Sequence, residues 1–188
     1  MITVYFDGAC WPHNPGGHIG WGYLIYEIRQ NKPVWLHEDC GYQPAGETSN
    51  NLAEYLAVYH ALAYLIANDL HRKKILVSGD SKLVIKQLKG QWRINQGVYT
   101  YVADRAKALL SQFDQIKFKW IPRNCNNQAD LLTSYGLAKG GLLWRLNNHS
   151  EAQRTYKPRI EIAVPNHKKY SQCLNQLHLL PTVEPVNG

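Results

Sequence analysis

Long apolar runs are missing from this chain. None approaches the ~20 residues needed to cross a bilayer, so no membrane partner is expected. The opening residues, Met1-Ile2-Thr3-Val4-Tyr5-Phe6-Asp7, lack both the basic start and the apolar core of a secretory leader, so the expectation is a soluble, cytoplasmic protein. Cysteine is scarce too. Cys10, Cys40, Cys125 and Cys173 show no paired C-x-x-C spacing, which argues against a disulfide framework and against structural zinc. No internal repeat is visible. With 45% hydrophobic and 19% charged residues in 188, wholesale disorder is excluded, and the length suits one domain with a proper core plus an extension.

The charge that is present leans positive, to a formal +7. Residues 1–140 hold 15 Lys and Arg against 11 Asp and Glu, and residues 141–188 hold 6 against 3. A basic chain that also carries a set of isolated carboxylates suits a polyanionic partner meeting a metal centre. Surface charge serving solubility alone is the plain alternative.

Ile2 to Phe6 alternates, with Ile2, Val4 and Phe6 on one face and Thr3, Tyr5 and Asp7 on the other, which predicts a strand. A turn-rich loop, Cys10 to Gly17, leads to strand-like stretches at Gly20 to Ile28 and Pro33 to Tyr42, separated by the polar turn Arg29-Gln30-Asn31-Lys32. The clearest helix covers Asn50 to Asp69: Ser49 is a ready N-cap, and Leu52, Leu56, Tyr59, Ala63 and Ile66 repeat at three-to-four spacing. A strand at Lys74 to Ser78, helices from Ser81 to Lys89 and from about Val98 to Gln112, a strand at Gln115 to Ile121 and a helix from near Asn126 to Gly140-Gly141 complete the pattern. A meander followed by alternating strands and helices predicts an α/β architecture, a mixed sheet flanked by helices.

Four acidic residues sit where packing alone would not put them: Asp7, Glu54, Asp80 and Asp130. Asp7 shares a face with Thr3 and Tyr5 in what should be a central strand, where an unpaired carboxylate is costly to bury. A turn role for the Asp7-Gly8 dipeptide is the plain alternative. Glu54 heads the stripe Val58, Ala61 and Leu65, so it lies over a buried face, and the flanking sequence supplies no Lys or Arg to offset it. Asp80 lies between a strand and a helix, where an N-cap is the common explanation, and Asp130 suits a helix dipole. If the four converge, they cannot all be ionised side by side without cations.

Asp7-Gly8, Asn14-Pro15-Gly16-Gly17, Ser49-Asn50-Asn51-x-x-Glu54, Ser78-x-Asp80-Ser81 and Asn126-x-x-Ala129-Asp130 together resemble type 1 ribonuclease H, in order and spacing, over about residues 1–140. The resemblance implies a ribonuclease H-like five-stranded mixed sheet, three antiparallel strands and then parallel ones, with flanking helices. It also implies a monomeric endonuclease that cuts the RNA strand of an RNA–DNA hybrid, leaving 5′-phosphate and 3′-hydroxyl ends. Two Mg²⁺ ions, or Mn²⁺ as substitute, would balance the four carboxylates and serve a two-metal reaction. By the same resemblance Asp7 bridges both ions, Asp130 holds the nucleophile-side ion, and Glu54 with Asp80 holds the leaving-group ion. Asn14, Gly16, Ser49, Asn50 and Asn51 would contact the substrate.

Two departures from the family stand out. The loop before Asp130 reads Pro122-Arg123-Asn124-Cys125 and has no His, so Arg123 and Asn124 are the candidates for an accessory role there. No large basic insertion follows Asp80; Lys82, Lys86, Lys89 and Arg93 instead recur at three-to-four spacing near Trp92, the pattern of a basic helical stripe. Two rivals remain on the sequence, a non-catalytic hybrid-binding module and a DNA nuclease or recombinase of the same superfold. Residues 141–188 form an extension in which only Lys168 to Leu180 looks amphipathic. Its candidate roles are a nucleic-acid arm, a dimer contact, a docking segment at Gln176 to Pro181, or a loosely ordered remnant.

Overall fold

The computed structural model describes residues 1–143. The amphipathic stretch expected at Lys168 to Leu180, the Gln176 to Pro181 segment and Cys173 lie outside the described residues. Five strands, β1 (Ile2–Trp11), β2 (His18–Arg29), β3 (Lys32–Gln43), β4 (Lys74–Gly79) and β5 (Gln115–Trp120), form one sheet in the order β3-β2-β1-β4-β5. The first three are antiparallel, and β4 and β5 run parallel to β1. Four helices cover it: α1 (Asn50–Ala67), α2 (Lys82–Leu88), α3 (Thr100–Leu109) and α4 (Asn127–Lys139).

The β2–β3 hairpin turns at Gln30 and Asn31, both with positive φ (48° and 61°), the two-residue geometry that matches strand twist. One expectation from the sequence is corrected at β1. Asp7 lies in the strand as its shared face with Thr3 and Tyr5 predicts, opposite Gly22, but the strand runs on to Trp11, paired throughout with β2, so the loop expected from Cys10 begins only after Trp11.

The alternation of β1 sorts the core. Ile2, Val4 and Phe6 belong to a large apolar cluster with α1, whereas Tyr5 packs with Leu24, Cys40, Ala129 and Leu132 under α4. The α1 helix is buried almost all round, its Tyr55, Leu62 and Leu65 included, because it lies between the sheet and α3. Only part of that burial is visible as a stripe in sequence.

Two glycines set the helix heights. A methyl group at Gly22 would overlap Leu132 and the α4 backbone, and one at Gly8 would overlap the backbone of Ala53 and Glu54 at the start of α1. Gly8→Ala is therefore expected to cost about 3 kcal/mol, the upper end of overpacking penalties, because backbone cannot step aside as a side chain can. Urea melts of the variant and the parent measure it, and an unchanged midpoint would contradict the close packing.

The basic stripe expected after Asp80 is also corrected. The α2 helix ends at Leu88, with Gly90 at φ +71° behind it, so Arg93 is not on that helix. Lys82 and Lys86 instead lie over the rings of Trp120 and Trp92, at 4.9 and 5.5 Å.

Candidate metal centre

The sheet order makes β1 the strand where the direction changes, antiparallel to β2 on one side and parallel to β4 on the other. In open α/β sheets, ligand crevices form beside such a strand, at the carboxyl ends of the parallel ones. The register carries the acidic residues there. Tyr5 is opposite Ser78, so Asp7 and Asp80, each two residues further on, come abreast where β4 ends. Asp80 does not cap α2, because Ser81 is the N-cap and accepts from the Val84 amide (3.4 Å). The close approach at Gly8 adds Glu54 from the second turn of α1.

Asp7, Glu54 and Asp80 thus bring carboxylate oxygens within 4.8 Å of one another. Asp7 and Glu54 are 5% exposed and Asp80 is half-buried, so this is a cluster of like charge with two of its three members desolvated. At that separation each ionised pair repels by about 3–4 kcal/mol for an effective dielectric of about 20. A cation removes that cost. The donor set is oxygen only, with neither His nor Cys in the group, which fits a hard divalent ion and not zinc.

Asp130 is buried in the first turn of α4 and is not one of the three mutually close carboxylates. Its Oδ1 is 3.1 Å from Arg123 Nη2. Burial of the Arg123 guanidinium opposes its charge, yet Asp130, and then Asp7 and Asp80, outweigh that effect and push its pKa up. Of the four carboxylates singled out in sequence, the fold gathers Asp7, Glu54 and Asp80, while Asp130 pairs with a guanidinium.

Asn126, quoted in sequence only as the head of a pattern, has a structural part in the site. Its buried Nδ2 donates to Phe6 O and to Asp80 Oδ1, both at 2.9 Å, tying the α4 entry to β1 and steadying Asp80. Trp120 adds a second tie, donating from Nε1 to Asp80 O at 3.0 Å. The signal for Asn126 was its position four residues before Asp130; Trp120 gave none.

The residues expected to meet substrate lie in the loop after β1 and at the entry to α1, the helix that carries Glu54. The Gly16 amide donates to Thr48 O (2.9 Å), the Gly46 amide to Gly16 O (3.1 Å), and the Thr48 hydroxyl to Gly17 O, which fastens the loop after β1 to the segment entering α1. Gly16 takes φ +95°, a conformation that favours glycine. Asn14 Oδ1 accepts from the Asn50 amide (2.8 Å), and Ser49 Oγ accepts from the Leu52 amide (3.2 Å) as the α1 cap. The Ser49 hydroxyl can still donate. Asn50 Nδ2 is at 3.5 Å from Glu54 Oε1, and Asn51 is half-buried in the first turn of α1. Asn124 follows Arg123 in a short 3-10 turn, Arg123–Cys125.

Residues 23–136 match the family model described as reverse transcriptase-like. The chain is 34% identical over 143 residues to ribonuclease HI of Halobacterium salinarum, covering 72% of this chain and 64% of that one. Among solved structures, it resembles the N-terminal RNase H domain of Rv2228c from Mycobacterium tuberculosis, with a TM-score of 0.64 and 28% identity over 74% of this chain and 95% of that chain. The chain spans 34% of the whole bifunctional protein Rv2228c. It also resembles LC11-RNase H1, isolated from compost and solved in complex with an RNA/DNA hybrid, with a TM-score of 0.64 and 26% identity over 74% of this chain and 99% of that chain. Among the described residues, no helix is long and apolar enough to cross a membrane.

Proposed function

This chain belongs to the type 1 ribonuclease H family, and from that premise we propose that it is a metal-dependent endonuclease cutting the RNA strand of RNA–DNA hybrids. The observation that carries the reading is the trio Asp7, Glu54 and Asp80, drawn from three separate elements into mutual reach at the strand where the sheet changes direction. A module that only bound hybrid would have no use for a desolvated carboxylate cluster, which costs stability without a cation.

Asp7, Glu54 and Asp80 would hold a divalent ion, with Asp130 completing the set for a second; Mg²⁺ is the natural choice and Mn²⁺ its substitute. Bound there, such ions supply Lewis-acid polarisation of the scissile phosphate and activation of the attacking water, giving 5′-phosphate and 3′-hydroxyl ends. The chain's own residues do the placing. Asn126 and Trp120 fix Asp80 from two sides, and Gly8 sets how far Glu54 reaches.

In this reading Asn14, Gly16, Ser49, Asn50 and Asn51 would meet the substrate beside the carboxylates, a role supported by the fastening of the loop to the α1 entry and by the approach of Asn50 to Glu54. Neutral amides and hydroxyls suit a minor groove that displays 2′-hydroxyls, the local difference between RNA and DNA. The exposed rings of Trp92 and Trp120 with Lys86 and Lys82 offer phosphate and stacking contacts on the adjoining face.

End-labelled hybrid, duplex DNA and duplex RNA, incubated in parallel with protein and Mg²⁺, test the reading. Cutting is expected in the RNA strand of the hybrid alone, and to stop with chelator. Equal cutting of duplex DNA would favour a DNA nuclease of the same fold, and retention of hybrid without cutting would favour a binding module.

A further inference from the structure

The Arg123–Asp130 pair has unequal partners. Asp130 is 6% exposed and anchored in α4, whereas the Arg123 side chain is 73% exposed and belongs to a short turn. Of the two, the largely exposed guanidinium is the partner whose displacement uncovers no core. It is close enough to Asp7 and Asp80 for their charges to act on it as well, so it stands where a second cation serving Asp130 would approach.

We propose that Arg123 is a built-in counter-cation that competes with divalent metal for Asp130, so that the free protein binds metal first through Asp7, Glu54 and Asp80 and gains the use of Asp130 only when Arg123 lets go. This rests on the metal-centre reading above. A phosphate of the substrate backbone is the natural alternative partner for the released guanidinium, since its planar fork matches phosphate as well as carboxylate. Substrate and the last metal-binding step would then favour one another, because each draws on the same broken pair.

Mn²⁺ titration of the full chain without nucleic acid, read by the electron paramagnetic resonance signal of free Mn²⁺, tests this. Wild type is expected to show a stronger and a weaker step. In Arg123→Gln the weaker step should tighten by roughly three- to tenfold, because an exposed pair is lost and a positive charge no longer repels the incoming ion. The stronger step should move less. Arg123→Lys should stay near wild type, and Asp130→Asn should remove the weaker step with or without Arg123. Circular dichroism melts establish that each variant is folded. An unmoved weaker step in Arg123→Gln, or a weaker step that survives Asp130→Asn, overturns the competition while leaving the metal centre standing. No Mn²⁺ binding by wild type takes down both readings.

Discussion

Asp7→Asn is expected to give a folded protein whose cleavage of hybrid RNA has fallen by at least about a thousandfold. The substitution keeps the shape of the side chain in mid-β1, so the strand and its pairing to Gly22 survive. What is lost is the charge that, with Glu54 and Asp80, would hold metal against the scissile phosphate. Electrostatic help of roughly 4 kcal/mol at a transition state corresponds to about that factor. A second readout follows from repulsion. Removing one of three clustered charges relieves about 3–4 kcal/mol per pair at most, so without divalent metal the variant should melt above wild type. Added Mg²⁺ should raise the wild-type melting temperature and leave the variant's nearly still. Cleavage at the wild-type rate by Asp7→Asn in Mg²⁺ would remove Asp7 from the mechanism.

Acid should unfold this protein through histidine before it does so through carboxylates. His60 on α1 stacks on Trp21 at 4.2 Å, and His37 on β3 stacks on Tyr64 at 3.8 Å. Desolvation lowers both pKa values from 6.5 to about 4, and among the described residues His60 Nδ1 has no hydrogen-bond partner. Because the folded pKa is below the unfolded one, the unfolded chain takes up the proton first as pH falls. The stabilisation is therefore complete above about pH 6.5 and lost on the way to 4. Between pH 7 and pH 5 each histidine forfeits about 2 kcal/mol, or about 4 kcal/mol together as an upper bound. Asp39, whose pKa burial raises, works the other way as it protonates, and Glu27, held low by Lys73 and Arg29, titrates below this window. Denaturant melts at the two pH values, repeated on His60→Phe, check the effect. The aromatic replacement keeps the stack, so it should lose about half of the pH dependence, and an undiminished slope would place the acid sensitivity elsewhere.

Much of this was legible in the residues. Strand alternation in Ile2 to Phe6, the Ser49 cap and the β–α alternation after Lys74 pointed to the elements; Glu54 stood out by heading an apolar stripe, Asp7 by its place in a central strand, and Asp80 and Asp130 by the motifs around them. Sequence failed where the answer lay between segments. The continuation of β1 through Asp7-Gly8 depends on its pairing with β2, not on local propensity. The extra burial of α1 depends on α3 lying against its outer side. The partners of Asp80, namely Asn126 and Trp120, are 46 and 40 residues away in the chain, beyond any spacing rule. That Asp7, Glu54 and Asp80 come within reach of one another, and that Asp130 pairs with Arg123, emerges only in three dimensions.

The fastening of the loop after β1 to the α1 entry runs through main-chain groups at Gly16, Gly46 and Thr48 together with the Thr48 and Asn14 side chains, and none of these bonds uses the side chain at position 51. Such a scaffold is indifferent to which side chain is carried at a position such as 51. Under the proposed function, exchanging Asn51 for another polar residue would therefore retune substrate preference while the carboxylates keep their places, which makes selectivity and chemistry separable targets for engineering.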